Sequence, residues 1–198
     1  MGEPASPIRR RADALRNEQA ILRAGARLLA DDPGASMQAI ADAAGVSRPT
    51  VYRRFPSRDV LLAALGQAMA DEAQALVEAA ADSDAPAAEA LAGLIRELGG
   101  VAERYPVLFQ LLRMRHASDR GGHPKRPVTP GLAKAFDRLV RRGHRDGSIR
   151  TDLSPLALRP MVFGSLVASL TASDAPDPRK VANAVAETLL RGVTPRAT

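Results

Sequence analysis

The residues best equipped for chemistry lie close together. Arg48, Thr50, Tyr52, Arg53, Arg54 and Arg58 fall in one short stretch, interleaved with Pro49, Val51 and Phe55. Guanidinium, hydroxyl and phenol groups in this density suit phosphate oxygens and base edges. They offer no carboxylate pair or imidazole for acid–base work. If the stretch is helical, each residue turns the chain by about 100°. Val51 and Phe55 then point inward together. Arg53 lies nearly opposite, with Pro49 and Thr50 to either side and Arg48 and Tyr52 on the flank. Pro49 adds a flat apolar surface that fits a thymine methyl.

The flanking sequence supplies elements to position that face. Ser36 can cap a short helix whose apolar stripe is Met37, Ile40, Ala41 and Ala44. Gly45 follows where a turn needs positive φ. Ser47 can cap a second helix over Arg48–Arg54, with Pro49 in its first turn, where a missing N–H does no harm. Val46, Val51 and Phe55 can pack on Ile40, Ala41 and Ala44, and the small alanines permit a close crossing. This pattern predicts a helix-turn-helix. Arg48 and Arg58 each begin a helix, where a cation costs about 0.3–1 kcal/mol. A phosphate at the same helix end reverses that sign. Asp59 beside Arg58 offsets part of the cost.

The window from Ser36 to Leu62 resembles the TetR family of transcriptional regulators. The resemblance is carried by Ile40-Ala41, the turn Ala44-Gly45-Val46-Ser47, Thr50-Val51-Tyr52, Phe55, Arg58 and Leu61-Leu62. It covers about a quarter of the chain; the remainder is similar to the family in length and helical layout. The resemblance implies that Arg48, Pro49, Thr50 and Arg53 read bases. It implies that Tyr52 touches a phosphate or a thymine, and that Ser36 and Ser47 contact phosphate. Arg54 stands where the family often has His, and Arg58 where it often has a phosphate-binding Lys. An arginine can serve there bidentately.

The rest of the chain is consistent with such a role. Of the net charge of +6, residues 1–58 carry 10 basic and 6 acidic side chains, or +4. The excess of positive charge therefore sits beside the reading face and suits a polyanion partner. There are no cysteines, which removes disulfides, thiolate catalysis and Cys-based zinc sites together. The polar N-terminus contains Arg9-Arg10-Arg11 and no apolar signal segment. The apolar stretch Met161–Ala172 is too short to span a bilayer. These features predict a cytoplasmic protein with no membrane partner.

Helical periodicity runs over Glu18–Asp31, Arg58–Ala81, Ala87–Arg104, from Pro106 to about Arg115, Gly131–Arg145, Pro155–Ala172 and Pro178–Leu190. Ser118–Pro130 reads as a long loop. No alternating strand pattern is visible. The expected fold is all-α with about nine helices. Its expected domains are a flexible basic arm (1–11), a three-helix DNA-binding domain (12–57) and a regulatory and dimerisation domain (58–198).

No catalytic set emerges. Gly164-Ser165 lacks the GxSxG spacing. Gly99-Gly100 and Gly121-Gly122 lack a phosphate-loop pattern. His116, His123 and His144 have no ligand-like spacing, so no metal or cofactor is expected. The basic cluster Arg141, Arg142, His144 and Arg145 ends a helix, where it complements the dipole.

The resemblance implies a homodimer on a palindromic DNA operator, released by a small-molecule effector. Met161, Val162, Leu166, Val167, Leu170, Val185 and Leu189 are the candidate dimer residues. Phe109, Leu112, Met114, Phe136, Met161 and Phe163 are the candidate effector-lining residues. Two other readings stay open at the level of sequence: a non-specific architectural DNA-binding protein, and an all-α enzyme with an unrecognised site.

Overall fold

The computed structural model describes residues 7–111, 129–172 and 177–195. The predicted loop Ser118–Pro130 falls mostly outside these residues, as do His116, His123, Leu112 and Met114. Among the described residues the chain forms nine helices and no strand. They are α1 (Pro7–Asp31), α2 (Met37–Ala43), α3 (Arg48–Arg54), α4 (Arg58–Ala81), α5 (Ala87–Arg104), α6 (described over residues 106–111), α7 (Pro130–Asp146), α8 (Pro155–Thr171) and α9 (Pro178–Val193). α1 starts at Pro7, earlier than the Glu18 expected from periodicity, so the Arg9–Arg11 run lies within a helix. A proline opens α1, as it opens α7, α8 and α9 at the first helical position, where its missing N–H is harmless.

The chain divides into two compact units. The first is Met1–Gln67 with Tyr105–Leu108; the second is Ala68–Arg104 with Phe109–Thr198. α4 thus contributes its start to the first unit and its remainder to the second. By length and apolar composition α4 could cross a membrane. Leu61, Leu65, Met69 and Val77 within it are buried in protein.

In the first unit, Ile21, Leu29, Ile40, Val51, Phe55, Leu61 and Leu65 form the core. Gly25 of α1 faces this core, where a β-carbon would meet a Leu61 methyl at 3.5 Å and Ile40 at 3.8 Å, ordinary packing distances. This core fixes α2 and α3 against α1 and the start of α4.

The second unit is built on α5 and α9. Gly99 is the reason they pack so closely. A β-carbon at Gly99 would lie 2.6 Å from the Ala182 β-carbon and 3.1 Å from the Pro178 carbonyl oxygen. The helix-weakening glycine in α5 is therefore a packing requirement. Gly93→Ala meets nothing within 4 Å and serves as a contrast. We expect Gly99→Ala to destabilise by about 1–3 kcal/mol through overpacking. Gly93→Ala should stabilise by up to about 1 kcal/mol through helix propensity. Denaturant unfolding of both variants checks this; equal midpoints would refute it.

Helix ends in this unit are closed by remote side chains. The Asp146 carboxylate accepts from Ala87 N at 3.0 Å and from Ser148 N at 2.9 Å, while Ser148 Oγ accepts from Ala88 N at 3.1 Å. Together they cap the N-terminus of α5. Arg142 closes the other side of the same turn, donating to the carbonyls of Ser83 and, at 3.1 Å, Ala80. His144 Nε2 stands 3.1 Å from the Leu153 carbonyl. Arg142 and His144 are thus structural ties rather than the solvated end of a helix.

Desolvation raises the Asp146 pKa, but the hydrogen bonds from Ser148 and Ala87 and the Arg142 charge outweigh it. The carboxyl is held below its ordinary 3.8. A depressed carboxylate stabilises the fold fully above the unfolded value, and that contribution fades as pH falls through the lower folded value. Asp146→Ala should cost about 0.5–2 kcal/mol at neutral pH, as for a lost cap. The gap from wild type should narrow on acidification below 3.8. Unfolding midpoints against pH test both parts, and a gap that widens in acid would contradict the assignment.

Candidate DNA-reading face

The reading face is assembled by three short-range devices. Ser36 sits at the N-cap of α2 and its Oγ accepts from Ala39 N at 3.1 Å. Gly45 takes φ +66°, the left-handed conformation that glycine adopts without strain, and the chain turns between α2 and α3. Gly45 N donates to the Asp42 carbonyl at 3.1 Å and Val46 N to that of Ala41 at 3.0 Å, closing the turn. Pro49 lies in the first turn of α3. Met37, Ile40 and Ala41 of α2 are buried, as are Val51 and Phe55, and the apolar sides of the two helices meet as expected.

What remains outside is the predicted set. Arg48, Pro49, Tyr52, Arg53 and Arg54 are exposed and Thr50 is half-buried. The Arg48 guanidinium carbon lies 5.2 Å from the centre of the Tyr52 ring. This cation–π contact is worth about 0.5–1 kcal/mol at an exposed site. It is comparable to the cost of a cation at a helix N-terminus. The pair is thus preformed on one flank of α3 and leaves further guanidinium donors free for an anion. Among the described residues Arg53 has no hydrogen bond or ion pair, and it projects opposite Val51.

Three residues have partners that local sequence does not show. Ser47 occupies the N-cap position of α3, but its hydroxyl makes no cap bond; it pairs with Thr50 Oγ1 at 2.8 Å. Ser47 therefore orients Thr50 in place of closing the helix. Arg54 forms an ion pair with Glu18 of α1. Arg58 donates to the Ala35 carbonyl at 2.8 Å and to the Pro33 carbonyl. Both guanidinium groups face protein acceptors; at Arg58 the resemblance implied phosphate. Glu18 was not among the expected site residues. Beside it, α1 and α3 border a cleft of about 400 Å³ lined by Leu15, Asn17, Glu18, Ile21, Thr50 and Arg53 among others.

The second unit holds the other candidates. Phe136 is buried and Phe163 half-buried, with ring centres 5.5 Å apart and planes tilted by 58°. Phe109 is half-buried. Met161 is 49% exposed, on the outer face of α8. Leu112 and Met114 lie outside the described residues. The dimer candidates also separate. Val162, Leu166 and Leu170 are buried within the monomer, because they recur every four residues with Leu158 on the inner face of α8. They are core residues, which corrects their assignment to an interface. Met161 stays exposed, and Val167, Val185 and Leu189 are half-buried. The outer face of α8 instead carries Leu156, 72% exposed, with Pro160, Met161, Gly164 and Ala168.

Comparison with known proteins matches this geometry. Residues 21–65 fit the model of the family described as bacterial regulatory proteins, tetR family. Over 76 residues the chain is 43% identical to the HTH-type transcriptional repressor LfrR of Mycolicibacterium smegmatis, covering 38% of this chain and 40% of that protein. The match therefore spans well under half of the relative's length. Among solved structures, the TetR transcriptional regulator SCO0520 of Streptomyces coelicolor superposes with a TM-score of 0.66 at 28% identity, covering 91% of this chain and 99% of that one. The TetR-like regulator LfrR of Mycobacterium smegmatis, solved in complex with proflavine, gives a TM-score of 0.57 at 26% identity, covering 91% and 98%.

Proposed function

By its N-terminal domain this chain belongs to the TetR family of bacterial regulatory proteins, and from that premise we propose that it is a sequence-specific transcriptional repressor. It would act in the cytoplasm as a homodimer on a palindromic operator, and a small molecule would release it. The observation that carries the reading is the face of α3. Arg48 and Tyr52 are prearranged as a pair, Thr50 is held by Ser47, and Arg53 is exposed and unpartnered among the described residues. This is a chemically differentiated surface, and a merely basic one would not need that order.

A two-fold dimer places two recognition helices about 34–36 Å apart, in successive major grooves. An effector bound in the second unit can release DNA only by favouring a conformation with another spacing. α4 is the covalent path for that change, since it contributes residues to both units. That the LfrR structure holds proflavine supports a small-molecule effector for this chain. Phe109, Phe136 and Phe163 are the described aromatics of the second unit that an apolar or mixed ligand would meet.

The decisive experiment is selection of binding sites from a randomised duplex pool at near-physiological salt. The expected result is a palindrome with half-sites about one helical turn apart. Equal binding to every duplex, dependent on salt but not on sequence, would instead mean an architectural protein.

A further inference from the structure

The four arginines of the reading head are not equivalent. Arg48 stacks on Tyr52 and Arg53 has no protein partner among the described residues. Arg58, at the first position of α4, sends both terminal nitrogens to carbonyls of the α1–α2 turn, Ala35 at 2.8 Å and Pro33. That turn leads directly into Ser36, the cap of α2. Arg54, the last residue of α3, is held by Glu18 of α1. The same device recurs in the second unit, where Arg142 grips two carbonyls at the C-terminal end of α4, Ala80 in its last turn and Ser83 just beyond it. A guanidinium suits this task because its planar fork reaches two acceptors at once; an ammonium is a point charge.

We propose that Arg54 and Arg58 are positioning residues that set the pose of α2 and α3, and that phosphate binding falls to other groups of the head. Arg58 ties the entry of α2 to the start of α4, and Arg54 ties the end of α3 to α1. Two anchors at opposite ends of the helix-turn-helix fix the angle at which Thr50 and Arg53 meet the bases. The proposal rests on the DNA-reading function above.

The test uses full-length protein, the operator recovered by selection and a scrambled duplex of equal length. Affinity for each is measured over a range of salt for Arg58→Gln, Arg58→Lys and Arg54→Gln. Loss of a phosphate contact lowers the slope of log affinity against log salt by about one per protomer. The expected result is an unchanged slope in all three variants. The preference for operator over scrambled duplex should fall by about tenfold, the scale of one mismatched base pair. Arg58→Lys should fail to rescue, because it keeps the charge and loses the fork.

A slope lowered by about one per protomer in either Gln variant would overturn the proposal in favour of phosphate anchoring. Full rescue by Arg58→Lys would do the same. A lower melting temperature with slope and preference both intact would reduce the residues to plain structural ties and also overturn it. Failure of the wild type to select any motif would remove the DNA-reading function itself, an outcome visible before any variant is made.

Discussion

Arg53→Ala is expected to weaken operator binding by about 1–3 kcal/mol per protomer and to relax selection at the base it reads. In a dimer both half-sites lose the contact, so the combined loss is about 2–6 kcal/mol, or at least thirtyfold. The side chain stands opposite buried Val51 and has no protein partner among the described residues. Its truncation should leave the fold within about 0.5 kcal/mol of wild type, as for an ordinary surface change. Val51→Ala is the informative contrast: it empties core volume, lowers stability, and reduces DNA binding only through loss of folded protein. Gel shift or anisotropy on the selected operator, with thermal melts of both variants, separates the two cases. Undiminished affinity and selectivity in Arg53→Ala would take base reading away from this residue and with it the centre of the proposed face.

The parts of this fold that were legible in the sequence are those governed by local chemistry. Ser36, Gly45 and Pro49 act on backbone within a few residues of themselves, and the bounds of α2 and α3 followed from them. The inward placement of Val51 and Phe55 followed from helical period alone. What was hidden depends on partners far along the chain. Glu18 and Arg54 are 36 residues apart, Arg58 and Pro33 are 25, and Asp146 and Ala87 are 59. No local pattern marks such pairs, so the carbonyl partners of Arg58 are invisible in the sequence. The start of α1 was missed because Arg9–Arg11 are polar and carry no apolar period, although Pro7 is a fair opening residue. α8 was misread for a different reason. It carries two apolar stripes, Leu158-Val162-Leu166-Leu170 and Leu156-Pro160-Met161-Gly164-Ala168, and period alone does not say which faces the monomer core.

Those two stripes lead to the second large effect, Leu156→Glu combined with Met161→Glu. One side of α8 is buried in the monomer; the other leaves Leu156 72% and Met161 49% exposed beside small Gly164 and Ala168. An apolar stripe with small residues lets a symmetry-related helix approach closely, and a two-fold axis brings the same patch against itself. Two carboxylates per protomer would then face two more across the axis, with their desolvation uncompensated. The expected result is a monomer that keeps its helical content. Its operator affinity should fall by about 10²–10⁴, because the second half-site no longer binds as a tethered event. Sedimentation gives the mass, circular dichroism the helicity, and anisotropy the affinity. Leu166→Glu should behave differently, since that side chain is buried within the monomer; it should lower the melting temperature first. A double variant that stays dimeric and binds its operator as wild type does would place the interface elsewhere. The outer stripe of α8 would then need another occupant.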